Sequence, residues 1–374
     1  MTRRHRLAIS LGDPCGIGPE LLLGSLPEIQ RLAEVTMVGS KAGLDLLAAL
    51  PGAPLAWRWV EPGVPLPTAF SGRAYDLQVT SLEDPGQVLA EVLWLDPTPE
   101  IQADSLRLGE GSAASGRATV EAIRQAALMT MAGFTEALVT LPMAKAAAHL
   151  AGYDLPGHTE FLRDLAGVPL TRMAFVSPRL NVVLHTVHQS LRSVVETLNA
   201  DEVAETLVFS AEHFIRLTGN RNLRVALCAL NPHAGEQGAF GGEEALLEVA
   251  LAKARGTFPP RLQDPDSEHQ IAPSFFGPLP SDSLFHRAAE GEFDLVVALY
   301  HDQGLIPIKL LEPTRAVNLT LGLPFIRTSP DHGTAFDKAG QWVADARNFL
   351  EALRLAVRLA DRASEAGEHR LPRP

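Results

Sequence analysis

Two histidines stand in polar motifs that directly follow apolar, strand-like runs. His233 lies in the motif NPHAGE, residues 231–236, and His301 lies in YHDQG, residues 300–304. In open α/β sheets, ligands bind at the carboxyl ends of the strands. An imidazole at such a position can bind a metal ion, with a polar neighbour orienting its second nitrogen. Both histidines are therefore candidate metal ligands.

The third candidate belongs to a pair, His185 and His188, in the segment VLHTVHQ. Residues 181–184 before this pair are strand-like, and in an extended chain these two side chains point to opposite sides. His188 lies nearer the following loop and is the candidate ligand, whereas His185 is predicted to pack in the interior. No local spacing such as HExxH accompanies these histidines, so spacing alone does not establish a metal site.

Residues able to bind an anion lie in three further motifs. Lys309, Asn318 and Arg327 follow the last histidine motif. The two cations can clamp a phosphate or carboxylate, although surface ion pairs are the commoner fate of lone cations. His158 and Thr159, in the motif GHTE, stand at a predicted helix start. They can offer hydrogen bonds to a ligand, or they can form an ordinary helix cap.

A glycine-rich turn, GDPCGIGPE at residues 12–20, connects a predicted strand to a predicted helix. It does not match the GxGxxG pattern of a dinucleotide-binding fold, and the sequence contains no Walker motif. A nicotinamide cofactor would therefore have to bind by another architecture.

Strand-like and helix-like patterns alternate along the chain, which predicts an α/β protein with a mostly parallel sheet. Strands are predicted at Leu7–Leu11, Val35–Gly39, Ala74–Val79, Val88–Trp94, Ala137–Thr140, Leu180–Leu184, Leu223–Leu230 and Asp294–Leu299. Helices are predicted over Glu20–Ala33, Ala42–Leu50, Arg117–Ala132, Ala144–Leu150, Ala200–Leu217, Glu243–Ala254 and Ala344–Ala363, with one more beginning at Glu160. The proline-rich segment 51–105 is predicted to be mainly irregular, 258–280 to be a connection, and 364–374 to be a frayed tail.

Bulk composition narrows the function class. With 374 residues and 46% hydrophobic content, the chain exceeds what one core usually serves, so two lobes are expected. A net charge of −12 argues against a nucleic-acid partner. Two cysteines without a CxxC pair indicate a reducing compartment. The sequence shows no signal-peptide or membrane-span pattern, which predicts a cytoplasmic protein without a membrane partner.

Five motifs in one order connect these observations: LGDPCGIGPE, PGHTEFL, NPHAGEQGAFGGEE, YHDQGLIPIK and VNLTLGLPFIRTSPDHGTAFDKAG, between residues 11 and 340. Together they resemble the 4-hydroxythreonine-4-phosphate dehydrogenase family of vitamin B6 biosynthesis. The resemblance implies a fold like isocitrate and isopropylmalate dehydrogenases, with two α/β/α lobes and the active site in the interlobe cleft. The first lobe is predicted to comprise residues 1–140 with 315–374. The second, 141–314, is predicted to supply the metal histidines and the contacts of a homodimer whose active site lies at the interface.

The resemblance also implies roles for individual residues. The divalent metal would be bound by His188, His233 and His301. The substrate would be contacted by His158, Thr159, Lys309, Asn318 and Arg327, and NAD or NADP by Asp331, Gly333 and Thr334. Imidazole ligands suit zinc or cobalt, while magnesium would need substrate oxygens to complete its shell. No residue is assigned as the general base.

The implied reaction is NAD(P)-dependent oxidation of 4-phosphooxy-L-threonine with decarboxylation to 3-amino-2-oxopropyl phosphate, a step toward pyridoxal 5'-phosphate. Family relatives act on D-threonate or D-erythronate 4-phosphate, or on other β-hydroxy acids such as aromatic dihydrodiol carboxylates, and these remain alternatives. A phosphate acyltransferase shares the fold but does not need the three histidines. A non-catalytic binding protein would not need the full set of polar residues.

Overall fold

The computed structural model describes residues 4–48, 50–63, 67, 69–84, 86–257 and 273–365. Its strands are β1 (Arg6–Ser10), β2 (Glu34–Val38), β3 (Ala56–Val60), β4 (Arg73–Thr80), β5 (Val88–Asp96), β6 (Ala137–Thr140), β7 (Arg172–Val176), β8 (Asn181–Leu184), β9 (Arg224–Cys228), β10 (Ser274–Leu279), β11 (Leu295–Ala298), β12 (Val317–Leu321) and β13 (Ile326–Pro330). Its helices are α1 (Gly18–Leu32), α2 (Lys41–Ala48), α3 (Ala113–Met131), α4 (Lys145–Leu150), α5 (His158–Ala166), α6 (Leu191–Glu196), α7 (Ala200–Thr218), α8 (Glu244–Thr257), α9 (Ser281–Ala289), α10 (His301–Leu311) and α11 (Arg347–Glu365).

The chain divides into two compact units, with boundaries between Pro169 and Leu170 and between Gly322 and Leu323. The first unit therefore contains both ends of the described chain, and the second unit is one continuous segment. Each unit alternates strands with helices, which confirms the predicted α/β class.

In the first unit the strand order is β13-β6-β1-β2-β5-β4-β3. The pairs from β13 to β5 are parallel, and β4 and β3 extend the sheet in antiparallel pairing. Strands β4 and β5 correspond to the predicted strands at 74–79 and 88–94, whereas β3 lies in the part predicted to be irregular, so the prediction was wrong for β3. Trp59 of β3 stacks edge-on against Trp94 of β5 at 5.3 Å, and this packing across three strands stabilises the extension.

In the second unit the order is β10-β9-β11-β8-β7-β12. The strands β10, β9, β11 and β8 are parallel, whereas β7 pairs antiparallel with both β8 and β12. The predicted strands at 180–184, 223–230 and 294–299 correspond to β8, β9 and β11. The predicted connection 258–280 contains β10, and α9 begins directly after it. Residues 258–272 of this connection lie outside the described residues, as do residues 366–374 of the predicted tail.

The unit boundaries differ from those of the predicted lobes for two local reasons. Helices α4 and α5 pack against α3, so residues 141–169 belong with the first unit. Strand β12 pairs with β7, so residues 315–322 belong with the second. His158 and Thr159 consequently lie in the first unit, and Asn318 lies in the second.

The central strands of both sheets are almost continuously apolar and buried. Residues Leu7–Ile9 of β1 have no exposed surface, and the same holds for Leu295–Ala298 of β11. Burying each Val or Leu side chain stabilises the fold by roughly 1.5–3 kcal/mol. Because this burial fixes the strand ends, the polar residues that follow the strands have defined positions.

Candidate active site

His188 and His301 follow neighbouring strands of the second unit. Beyond the last residues of β8 and β11, the backbone N–H of His185 donates to Ala298 O at 2.8 Å. Thr186 then donates to Leu299 O twice, from its backbone N–H at 3.2 Å and from Oγ1 at 2.7 Å. These contacts bring the rings of His188 and His301 to a centroid separation of 6.3 Å.

An open groove of about 450 Å³ surrounds this pair of rings; its lining includes Tyr300, Asp302 and Leu191. His301 Nδ1 lies 2.7 Å from Asp302 Oδ1, which makes Nδ1 the protonated nitrogen and leaves the Nε2 lone pair for a ligand. A zinc–nitrogen bond is about 2.1 Å, so two imidazoles with this ring separation can bind one ion.

His185 occupies a different environment from His188, three residues away. Its Nδ1 donates to Thr206 Oγ1 at 2.8 Å in the interior of the second unit. Burial and, to a smaller extent, the positive charge of Arg172 lower the pKa of His185 from 6.5 to about 4. The predicted packing of His185 in the interior is confirmed.

His233 follows β9 in a left-handed turn. Residues 233–237 all have positive φ angles, between 42° and 74°, although four of the five are not glycine. Each such non-glycine residue costs roughly 1–2 kcal/mol relative to the right-handed conformation. Backbone strain of this kind persists only where surrounding contacts hold it, and it clusters at functional sites.

The contacts that hold this turn come from Asn231 and two glutamates. The Asn231 backbone N–H donates to Glu244 Oε1 at 2.7 Å, and its side-chain amide donates to Glu243 Oε2 at 2.8 Å and Glu244 Oε2 at 2.9 Å. A Cβ atom on Gly235 would lie 2.6 Å from Glu244 Oε2, so a larger residue there would displace the carboxylate that bonds Asn231. The turn presents the His233 side chain to solvent.

The three candidate metal ligands do not form one cluster. Within the described part of the chain, no three or more His, Cys, Asp and Glu side chains are grouped closely enough to hold one ion. The structure therefore brings His188 and His301 together but does not add His233 to them. The chemistry of the pair fits a divalent first-row ion, and a third ligand is needed to complete it.

Two predicted substrate residues lie elsewhere in the second unit. Lys309 is exposed in the last turn of α10. Asn318 lies in β12, and its buried Oδ1 has no hydrogen-bond partner among the residues described. That oxygen is available as an acceptor for a ligand donor.

In the first unit, Arg327 of β13 is only 2% exposed. Its Nε and Nη2 donate to Thr140 Oγ1 at the end of β6, at 3.1 and 2.7 Å. Burial lowers the pKa of Arg327 to about 9, against the opposing effect of the Glu160 carboxylate. The guanidinium is thus a fixed, largely desolvated cation. Thr140 belongs to no recognisable sequence motif, since only the fold brings it to Arg327.

His158 begins α5, next to Thr159. The helix cap is Gly157 and no side chain caps the helix, which excludes the simple capping alternative. His158 hydrogen-bonds to the Leu141 backbone, while its buried Nε2 has no hydrogen-bond partner in the described chain. The Leu141 carbonyl accepts from Nδ1–H, so Nε2 carries the lone pair. Burial, followed by the charges of Arg327 and Lys145, holds the His158 pKa well below 6.5. The imidazole is therefore a neutral hydrogen-bond acceptor.

The predicted cofactor residues Asp331, Gly333 and Thr334 adjoin the glycine-rich turn. The Ile17 backbone N–H donates to Thr334 O at 3.0 Å. The Glu20 carboxylate accepts from the backbone N–H groups of Gly340 and, at 2.8 Å, of Trp342. In the turn itself, burial raises the Asp13 pKa to about 6, while hydrogen bonds from Cys15 N and Ser115 Oγ oppose the rise. The turn thus anchors the segment that carries the three residues.

Comparison with known proteins identifies the family. The family model described as "Pyridoxal phosphate biosynthetic protein PdxA" matches residues 69–356. A 4-hydroxythreonine-4-phosphate dehydrogenase of Desulfosudis oleivorans is 37% identical over 360 residues, which cover 96% of each chain. A D-threonate 4-phosphate dehydrogenase of Cupriavidus necator is 37% identical over 362 residues, covering 95% of this chain and 97% of the relative.

A solved structure agrees with these relatives. The crystal structure of 4-hydroxythreonine-4-phosphate dehydrogenase from Klebsiella pneumoniae is 34% identical, with a TM-score of 0.73 over 96% of this chain and 98% of that chain. Among the residues described, no helix is both long and apolar enough to span a membrane. The resemblance inferred from the five motifs is confirmed: the chain belongs to the PdxA family, a family of dehydrogenases.

Proposed function

We propose that this chain oxidises 4-phosphooxy-L-threonine with NAD or NADP and a divalent metal ion, and that loss of CO2 then yields 3-amino-2-oxopropyl phosphate. Family membership supports the dehydrogenase class. The observation that carries the substrate class is the buried Arg327 guanidinium, held by Thr140 beside a neutral His158. A desolvated cation binds phosphate or carboxylate far more strongly than an exposed one.

The substrate residues divide by chemistry. Arg327 and Lys309 supply positive charge for the anionic groups of the substrate. His158 Nε2 and Asn318 Oδ1 are acceptors, so they would bind hydroxyl or ammonium hydrogens. Thr159, buried at the start of α5, would help to position the same substrate.

The metal would be bound by His188 and His301 together with His233. Zinc or cobalt suits imidazole ligands, and magnesium would need substrate oxygens. A bound divalent ion would supply Lewis acidity that lowers the pKa of the substrate hydroxyl. The chain's own contribution is to fix the rings: Asp302 sets the His301 tautomer, and the left-handed turn presents His233.

We further propose a homodimer in which both copies contribute to each metal site. The proposal is supported by the pairing of His188 with His301 in one groove, which His233 does not join within the described chain, so that a second copy could supply the third ligand. Helices α6 and α10, which both border the groove, expose apolar side chains: Leu191 is 58% exposed, Ile306 58% and Leu310 78%. Exposed apolar residues around a candidate site are typical of an interface.

The cofactor would bind along Asp331, Gly333 and Thr334, on the segment anchored to the glycine-rich turn. That turn lacks the GxGxxG pattern, so the cofactor geometry differs from a Rossmann site.

A second substrate is also supported. The relative named for D-threonate 4-phosphate is as similar to this chain as the one named for 4-hydroxythreonine 4-phosphate. D-Erythronate 4-phosphate and other β-hydroxy acids belong to the same alternative. The acceptor atoms of His158 and Asn318 accommodate either the ammonium of the amino acid or the hydroxyl of the sugar acid.

The test measures reduced cofactor with each phosphorylated substrate, with NAD and with NADP, before and after EDTA treatment and metal repletion. We expect metal-dependent turnover of one substrate in strong preference to the others. If metal-replete protein forms no reduced cofactor with any of them, the proposal is wrong and the acyltransferase alternative gains weight.

The shared metal site has its own test. His188→Ala and His233→Ala should each abolish metal-dependent turnover while retaining the fold measured by circular dichroism. If the two histidines of one site come from different copies, subunit exchange between the inactive variants should restore part of the activity. An active His233→Ala enzyme contradicts the three-histidine proposal, and exchange without recovery contradicts sharing.

A further inference from the structure

We infer that Gln303 is a positioning residue that joins the strand ends from which His233 and His301 emerge. The inference rests on the proposed metal function of those histidines and assigns a role to a residue that does not itself bind the ion. Gln303 lies in the first turn of α10 and is 8% exposed.

The Gln303 amide makes hydrogen bonds with three partners. Its Oε1 accepts from the Leu299 backbone N–H at 2.7 Å. Its Nε2 donates to Ala229 O at 2.8 Å and to Ser281 Oγ at 2.9 Å. Both amide hydrogens and the carbonyl are used, so the orientation of the side chain is fixed.

These partners lie just past the sheet. Strands β9 and β11 are neighbours, and their paired register ends at Leu227 and Val297. Ala229 and Leu299 follow two residues later on each strand, where ladder pairing has stopped. Gln303 connects them there, and so continues the link between the two strands beyond the last ladder pair.

The connected residues lead directly to the candidate ligands. Leu299 precedes His301 by two residues, and Ala229 precedes His233 by four. Leu299 O also accepts both hydrogen bonds from Thr186, which precedes His188 by two residues. The positions of all three loops are thus connected through Leu299 and Gln303.

Gln303 is suited to this role by having both a donor and an acceptor. Methionine at this position keeps the length and apolar volume but removes all three hydrogen bonds. Glutamate keeps an acceptor for Leu299 N–H, yet its second oxygen faces the Ala229 carbonyl, which it cannot bond when ionised. Gln303→Met therefore removes the whole connection between the two strand ends, and Gln303→Glu removes part of it.

The experiment titrates metal-free protein with Co²⁺ alone, using calorimetry for affinity and the visible absorption of Co²⁺ for ligand geometry. We expect Gln303→Met to raise the Kd about 10- to 100-fold, as loss of an orienting contact around a metal site typically does. The absorption bands should change as well. Gln303→Glu should lie between Gln303→Met and the wild type.

Asn181→Leu is the matched control. The Asn181 side-chain amide donates to Asp294 O at 3.0 Å. This bond connects the neighbouring strands β8 and β11 at their amino ends, whereas the histidines follow their carboxyl ends. Its loss should lower the melting temperature but leave the Co²⁺ affinity and spectrum unchanged. A purely structural role for Gln303 predicts the same pattern for Gln303→Met. A wild-type Kd and spectrum in both Gln303 variants overturns the inference, and Gln303→Glu decides if Gln303→Met does not fold.

His301→Ala separates this inference from the proposed function. If wild-type protein binds no Co²⁺, or if His301→Ala binds it as well as wild type, the metal proposal fails and the inference fails with it. If His301→Ala loses Co²⁺ while both Gln303 variants retain wild-type binding, only the positioning role is wrong.

Discussion

The Arg327 region of the first unit and the histidine groove of the second hold their functional groups by opposite means. Arg327 is 2% exposed and bonded to Thr140, and the neighbouring His158 has a covered Nε2. In the second unit, by contrast, the His301 side chain of the groove is 40% exposed, and His188 and His233 are exposed as well. The first region is buried and carries a positive charge, whereas the second is exposed to solvent.

The Arg327 region would therefore act mainly through its charge, and the histidines mainly through the geometry of the backbone that carries them. Burial strengthens the attraction of Arg327 for an anion, because the surrounding dielectric constant is low. It also disfavours the charged form, as the lowered pKa shows. The geometry of the exposed histidines comes from the left-handed turn and from the hydrogen bonds past the strand ends. Substitutions should therefore act through charge in the first region and through backbone position in the second.

The largest effect is expected from removing the buried charge. Arg327→Met should lower kcat/KM by about 10³-fold, because losing one member of a buried, hydrogen-bonded charge interaction costs roughly 2–5 kcal/mol. Arg327→Lys keeps the charge but loses the paired bonds to Thr140, and should lie between this variant and wild type. Steady-state kinetics on the preferred substrate measures both.

Lys309→Met supplies the exposed counterpart for that comparison. An exposed cation is solvated and screened, so its removal should cost about tenfold or less. Equal losses for Arg327→Met and Lys309→Met would contradict the expected difference between a buried and an exposed charge.

The central fold was predictable because buried strands have a distinctive composition. Runs such as Leu7–Leu11 and Asp294–Leu299 are apolar on both faces, and the structure places β1 and β11 within one residue of them. Strands β3, β7, β10, β12 and β13 were missed; each lies at or next to an end of its unit's strand order, where pairing depends on neighbours distant in sequence. The unit boundaries were displaced for the same reason, since pairing of β12 with β7 decides where Asn318 belongs.

The sequence indicated which candidate histidines follow apolar strands, but it did not indicate their geometry. The positions of His188 and His301 followed from their place after apolar strands. The left-handed turn at His233 could not be predicted, since non-glycine residues adopt it only under tertiary contacts such as those of Glu244. Thr140 gave no local signal either, because its partner Arg327 is 187 residues away.

A smaller effect tests burial within the second unit, at His185. Its pKa is about 4 in the folded protein against 6.5 unperturbed, so the unfolded chain binds more protons between these values. Stability should therefore fall as pH decreases from 6.5 toward 4, by at most about 3 kcal/mol from this residue. Urea unfolding of His185→Gln across this range should show a shallower loss than wild type. The exposed His149→Gln variant is the control, and an unchanged slope in His185→Gln would contradict the assignment.

The smallest effect concerns Asp302, whose carboxylate orients His301 in the exposed groove. This carboxylate is 71% exposed and lies 2.7 Å from His301 Nδ1. Asp302→Asn retains an acceptor oxygen but removes the charge, so the ring should keep its orientation and lose only basicity. We expect Co²⁺ affinity to fall about tenfold, at the low end for loss of an orienting contact, with the absorption bands of the ion unchanged. Gln303→Met is expected to change both the Co²⁺ affinity and the absorption bands, because it shifts the backbone that carries the ligands and leaves their charge unchanged. If Asp302→Asn altered the bands as strongly as Gln303→Met, local charge rather than backbone position would govern the geometry of the groove.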